Sequence, residues 1–417
     1  MLSADIDLHN TMTTNAPIHA ATRLNRTGQG RHFLQIPEPS NVPDRVLRAI
    51  DHPTIDHRGP EFAALGLQIL AAIKPVFGTT NPVIIYPGSG TGAWEAAMVN
   101  VLSPGDSVLM VETGQFATQW KHLATKLQLQ PEFIVGDWRT GVNAADIKAR
   151  LNQDSQHQIK AVCVVHNETS TGVTSDIAAV RAAIDAAKHP ALLMVDTISG
   201  VGSIEYKHDE WGVDVTIAGS QKGLMMPPGL GFNAVSDKAI KASEHATMPN
   251  AYWRWDEIIE ANKKGVWPTT PATNLLYGLA EVLDMLHEEG LDHVYARHQR
   301  HAQATRLAVQ AWGLEVLCAD PAQYSPVLTA VVMPKRDDGT HHDADAFRKL
   351  VLEKYNMSLG TGLNKLQGWV FRIGHLGHFN DLTLLGTLGG VEMGLVSAGV
   401  PHKRGGVQAA IDFLAKT

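Results

Sequence analysis

The sequence predicts an α/β fold, with a mainly parallel seven-stranded sheet in a large domain and a smaller C-terminal α+β domain. Three observations carry this reading. Seven short runs rich in Val and Ile recur between residues 82 and 235. Stretches with apolar residues at three- and four-residue steps separate several of them, which is helical spacing. Near residue 290 the runs become fewer and the helical stretches longer. Alternation of strand and helix favours parallel strands with helices on both faces of the sheet.

Residues 1–28 are polar, contain Asp5 and Asp7, and read as a flexible N-terminal extension without the apolar stretch of a secretory signal. The large domain is expected over 29–290. Its strands are Pro82–Tyr86, Ser107–Glu112, Glu132–Val135, Lys160–Val165, Ala191–Asp196, Val213–Ala218 and Gly231–Val235. Gly92–Val101, Phe116–Leu127 and Ser175–Ala187 are the helices between them. The small domain is expected over 291–417. Its helices are Leu291–Trp312, Asp343–Glu353 and Leu382–Val396, and its strands Val327–Met333 and Trp369–Ile373. The polar stretch Lys335–His342 reads as an exposed turn.

Composition narrows the function. A chain of 417 residues is long enough for two cores. The net charge is −7 and no Lys/Arg stripe stands out, so no nucleic-acid partner is expected. No apolar run reaches the roughly 18 residues of a membrane span, so no membrane partner is expected either. Cys163 and Cys318 cannot form a disulfide framework, and a reducing, cytoplasmic setting is expected. His166 has no second histidine at ligand spacing, so no metal site is expected.

Five features carry chemistry. Lys222, in Ala218-Gly-Ser-Gln-Lys-Gly, follows a strand and sits among small and polar residues. A desolvated lysine amine loses its proton more easily and can form a Schiff base; alone, it would read as a surface lysine. Asp196 ends the run Ala191-Leu-Leu-Met-Val-Asp, where strands of such sheets point into a ligand crevice. There a carboxylate needs a partner, and a pyridinium nitrogen would serve; a helix N-cap is the alternative. Lys222 lies 26 residues further on, after the next strand, which favours pyridoxal 5'-phosphate (PLP) as the shared ligand. Pro87-Gly-Ser-Gly-Thr-Gly comes between a strand and a helix, where free backbone N–H groups suit a phosphate or simply make a tight turn. Arg372, inside Val370-Phe-Arg-Ile-Gly-His, calls for an anion, either a substrate carboxylate or a structural salt bridge. Phe116 could stack on a flat ring or pack in the core.

Together these residues resemble class V, fold type I PLP-dependent aminotransferases of the serine–glyoxylate and alanine–glyoxylate group. Gly88-Ser-Gly-Thr-Gly-Ala-Trp-Glu, Val165-His-Asn-Glu-Thr-Ser-Thr-Gly-Val, Val195-Asp-Thr-Ile-Ser, Gly219-Ser-Gln-Lys-Gly and Phe371-Arg-Ile-Gly-His-Leu-Gly occur in family order, and the resemblance covers roughly residues 31 to 400. It implies that Lys222 is the Schiff-base lysine and proton shuttle, and that Asp196 holds the pyridine nitrogen. Ile198 and Phe116 would cover the two ring faces, Thr169 would bond the ring hydroxyl region, and Gly90, Thr91 and Gln221 would bind the phosphate. Thr270, in Trp267-Pro-Thr-Thr-Pro, would complete the phosphate site of a neighbouring subunit in a homodimer or larger assembly. Arg372 would clamp the substrate α-carboxylate.

Two positions depart from the family pattern. Pro37-Glu-Pro-Ser puts Glu38 where a glycine is usual, next to the substrate, where it would narrow the pocket or repel an acidic donor; a solvent-facing Glu38 is the alternative. Trp267 stands where a tyrosine is common, which would alter one phosphate contact. Asp56-His-Arg fits the serine–glyoxylate branch, with Arg58 either helping to bind the oxo-acid or serving a surface salt bridge. The implied reaction is ping-pong transamination with glyoxylate as acceptor and serine as the favoured donor, aspartate and alanine being rivals. A PLP lyase of the desulfurase type would need a cysteine in a flexible loop, which neither Cys163 nor Cys318 occupies. A non-catalytic binding protein would not need Lys222, Asp196 and Arg372 together.

Overall fold

The computed structural model describes residues 30–417; the expected extension over 1–28 lies outside them. All seven expected strands of the large domain form one sheet. Their spatial order is Val83–Gly88, Gly229–Val235, Val215–Gly219, Leu192–Asp196, Ile159–Val165, Ser107–Val111 and Gln130–Ile134. Gly229–Val235 runs antiparallel to both neighbours. Every other neighbouring pair is parallel. The exception has a simple cause. Residues 220–228 are fewer than the dozen or so that a parallel crossover needs, so the chain turns straight back and leaves Lys222 in the return loop.

The central strands Leu192–Asp196 and Val215–Gly219 are buried at every residue, as expected for parallel strands covered on both faces. Helix Gly90–Val101 packs against Val215–Gly219 and Gly229–Val235, and Gln115–Lys126 packs against Gln130–Ile134. Ser89 caps the first of these helices by accepting from the Gly92 N–H at 3.4 Å.

A second sheet has five strands, in the order Phe33–Gln35, Met357–Thr361, Val370–Gly374, Leu328–Val332 and Glu315–Val316. Trp312, Phe347, Phe371 and Leu388 belong to the core beneath it. The sequence reading placed residues 33–35 with the large domain, but they pair in parallel with Met357–Thr361 of the C-terminal sheet. Three residues are too few to display strand alternation, and their partner lies at the far end of the chain.

This pairing decides where the next segment runs. From Gln35 the chain crosses toward the large sheet and is pinned there. The Ser40 N–H donates to the Gln221 carbonyl at 2.9 Å, and Ser40 Oγ donates to the Lys222 carbonyl at 2.7 Å. On the way, the backbone of Ile36 lies so close to Gly374 that a Cβ there would collide with the Ile36 carbonyl. Residues 36–40 are thus held between the strand carrying Arg372 and the loop carrying Lys222.

The stretch Pro60–Phe77 qualifies the expectation about membranes, because its mean hydropathy is 1.3 over 18 residues. It is not one helix, however. Pro60–Ala72 is α-helical and Pro75–Phe77 is a separate 3-10 turn, with Lys74 between them. Phe62, Ile69, Val76 and Phe77 are buried in the core of the large domain.

Candidate active site

The carboxyl ends of the parallel strands converge on one pocket, the usual ligand position in such sheets. Asp196 is the last residue of its strand, paired in register with Val165 on one side and Ile217 on the other. It is 3% exposed. Its Oδ2 accepts from Trp94 Nε1 at 2.9 Å and its Oδ1 from the Ile198 N–H at 2.8 Å. Burial, with a smaller contribution from nearby Glu168, pushes its pKa up to about 7. The N-cap alternative does not apply, because its backbone bond is to Ile198 in a turn rather than to a helix. Trp94 in turn stacks on Trp120, with ring centroids 5.9 Å apart.

Lys222 is 1% exposed. Its Nζ donates to Thr169 Oγ1 at 3.2 Å and meets Glu38 Oε2 at 2.9 Å. Burial pulls its pKa down, Glu38 and Asp196 pull it back up, and Arg372 opposes them. Lys222 is therefore no surface lysine. Glu38 keeps 30% of its side chain exposed, but its carboxylate turns inward onto the lysine. The solvent-facing alternative is not what the structure has.

Phe116 lies at the start of helix Gln115–Lys126, with its ring centroid 5.7 Å from Lys222 Nζ. Glu168 sets that position. Its fully buried carboxylate accepts from the Phe116 and Ala117 N–H groups at 3.2 Å each, and from Ser170 Oγ at 2.6 Å. A helix N-terminus is a favourable seat for such a charge. On the other side of the pocket Ile198 fills the space above Gly90, where a Cβ would collide with its Cδ1. Thr91 and Gln221 line the same pocket, and the buried Gln221 Oε1 has no hydrogen-bond partner.

Arg372 is 5% exposed in the strand Val370–Gly374. Its Nε donates to the Thr361 carbonyl at 2.7 Å and its Nη1 to the Thr169 carbonyl at 2.6 Å. Both bonds are to backbone, so the structural salt bridge weighed for it is not formed among the described residues. Burial pulls its pKa down to about 10. It borders the Lys222 pocket through Thr169 and through its electrostatic contact with Glu38.

Three further residues singled out in the sequence lie outside this chain's pocket. Thr270 is exposed and does not line this chain's pocket. Trp267 points inward and donates Nε1 to the Ile85 carbonyl at 3.0 Å. Arg58 is exposed, and its backbone N–H bonds Asp56 Oδ1 at 2.9 Å. Conversely, the sequence reading gave no role to Trp94 or Glu168. Trp94 follows Gly90 by four residues, one helical turn, and that spacing was the available signal.

Neither cysteine reaches the pocket. Cys163 is buried in the strand Ile159–Val165, and Cys318 bonds the Asp320 carbonyl. A larger cavity of about 640 Å³ lies apart, near Arg31, Arg45 and Arg297. Those arginines are engaged by Asp44, Glu281, Glu288 and Glu289.

Comparison with known proteins agrees with this geometry. The aminotransferase class-V family profile matches residues 37–364. The chain is 47% identical to the serine–glyoxylate aminotransferase of Methylorubrum extorquens, over 95% of this chain and 98% of that protein. It is 42% identical to the L-aspartate–glyoxylate aminotransferase of Paracoccus denitrificans, over 92% and 96%. Among solved structures, pyridoxamine–pyruvate aminotransferase from Mesorhizobium loti superposes with a TM-score of 0.86 at 25% identity, covering 96% of this chain and 99% of that one. The chain belongs to the class-V aminotransferases and is an aminotransferase.

Proposed function

We propose that this aminotransferase uses PLP to move an amino group from serine to glyoxylate. The observation that carries the reading is the meeting of Lys222 and Asp196, both buried, in one pocket with the Gly90 turn. The residues present fit the cofactor. Asp196 has no cation within bonding distance among the described residues, and a pyridinium nitrogen would supply one. The N–H groups at the start of helix Gly90–Val101 suit a phosphate.

When bound, PLP would draw electrons from the substrate Cα through its amino nitrogen and so make the Cα proton labile. Asp196 would keep the ring nitrogen protonated, the form that draws electrons best. Ile198 and Phe116 would cover the ring faces and exclude water. Gly90, Thr91 and Gln221 would hold the phosphate, and Thr169 the ring hydroxyl. The Lys222 amine would carry a proton between the substrate Cα and the cofactor as general base and acid. Burial favours the neutral amine that this needs, against the opposing pull of Glu38. Arg372 would fix the α-carboxylate, first of the amino acid and then of the oxo-acid.

Serine is favoured over aspartate by the likeness to the serine–glyoxylate aminotransferase of Methylorubrum extorquens and by Glu38, whose carboxylate lines the pocket. With glyoxylate as acceptor, a panel of donors should show serine turned over fastest and aspartate slowest. Faster turnover of aspartate would favour the activity named for the Paracoccus denitrificans relative. Arg372→Ala should raise KM for donor and acceptor together, since losing one partner of a desolvated charge pair costs about 2–5 kcal/mol. A rise confined to the donor would rule out a shared clamp. The exposure of Thr270 supports a phosphate site completed by a second copy. Light scattering on the active holoenzyme should then find a homodimer or larger, and a fully active monomer would remove Thr270 from the site.

A further inference from the structure

Resting on that reading, we infer that Glu38 is the electrostatic partner that keeps the Lys222 nitrogen positively charged, both as the free amine and when it is linked to the cofactor. The geometry carries this. Glu38 Oε2 lies 2.9 Å from Lys222 Nζ, a hydrogen-bonded ion pair with the lysine 1% exposed. The other bond from Nζ is to the neutral Thr169 hydroxyl.

The remaining charges around this nitrogen do not replace Glu38. Asp196, at the strand end, has its oxygens engaged by Trp94 and the Ile198 N–H. Arg372, from the second sheet, is positive and disfavours a proton on the lysine. Glu168 is spent on the start of helix Gln115–Lys126, and Arg348 adds a further positive charge near Arg372. Glu38 is thus the one carboxylate in hydrogen-bond contact with Nζ among the described residues.

Its position is also fixed independently of that contact. The Ser40 N–H and hydroxyl bind the carbonyls of Gln221 and Lys222, and Ile36 is wedged on Gly374. Linking Lys222 to a cofactor leaves its backbone, and the Ser40 tie to the Glu38 segment, in place. The positively charged, linked nitrogen is the more electrophilic form toward an incoming amine. Holding the proton there would extend that form to higher pH.

The test compares wild type, Glu38→Gln and Glu38→Asp as holoenzymes with equal cofactor content. The pH midpoint of the visible cofactor band reports the proton on the Lys222 nitrogen. An opposite charge within a few ångströms typically moves such a midpoint by about one to three pH units. Glu38→Gln should lower it by that amount, and Glu38→Asp should recover part of the loss. An unchanged midpoint in Glu38→Gln would overturn the inference. A second measurement needs no cofactor. In the cofactor-free proteins, carbamoylation of Lys222 by cyanate, a small reagent that attacks neutral amines, should begin at lower pH in Glu38→Gln than in wild type, as located by peptide mapping. Identical labelling profiles would overturn the pairing. If wild type shows no visible band that depends on Lys222, the cofactor reading fails, while the labelling comparison still decides the role of Glu38.

Discussion

Asp196 is a carboxylate inside a protein core, and the rest of the site is arranged around that cost. Burial leaves its pKa at about 7, so near neutral pH the charge is barely tolerated without a cation. Trp94 and the Ile198 N–H satisfy its oxygens, and the Trp94–Trp120 stack keeps the indole donor in place. What these neutral donors do not supply is a positive charge. A protonated ring nitrogen would supply it, and its electron-drawing form would be stabilised in return. The same strand end that makes the carboxylate expensive therefore makes it useful.

The second constraint is the joint between the two sheets. The large sheet presents Asp196 and Lys222; the five-stranded sheet presents Arg372. Arg372 reaches across to the Thr169 carbonyl, and Thr169 holds the Lys222 amine through its hydroxyl. From the other side, Ser40 ties the chain leaving the five-stranded sheet to the Lys222 loop. A seat for a flat cofactor and a seat for a carboxylate are thereby fixed relative to one another. Good alignment of reacting groups is worth a large share of catalysis, and here it rests on a few backbone carbonyls.

The large sheet was legible in the sequence because most of its strands are compact apolar runs bounded by Gly, Pro or a polar residue, Gln130–Ile134 being the weakest of them. Asp196 and Lys222 were legible for a related reason. Each follows directly from a strand, so its place at the carboxyl edge can be counted off. The strand Phe33–Gln35 was not legible, because its partner Met357–Thr361 is distant in sequence and interrupted by Gly360. Glu38 inherits that difficulty. The direction of its side chain depends on where the preceding strand pairs, and no local pattern states it. Trp94 and Glu168 sat inside motifs that were noticed for other residues. Their roles are tertiary: an indole N–H aimed at a buried acid, and a carboxylate on a helix start contributed by another part of the chain.

Everything in this account requires Lys222 to be the residue that carries the cofactor. Reduction of the PLP-loaded protein with borohydride, followed by peptide mapping, tests that requirement most directly. A single labelled peptide containing Lys222 is expected, with no label in Lys222→Ala. Label on any other lysine, or equal labelling after Lys222 is replaced, would contradict it.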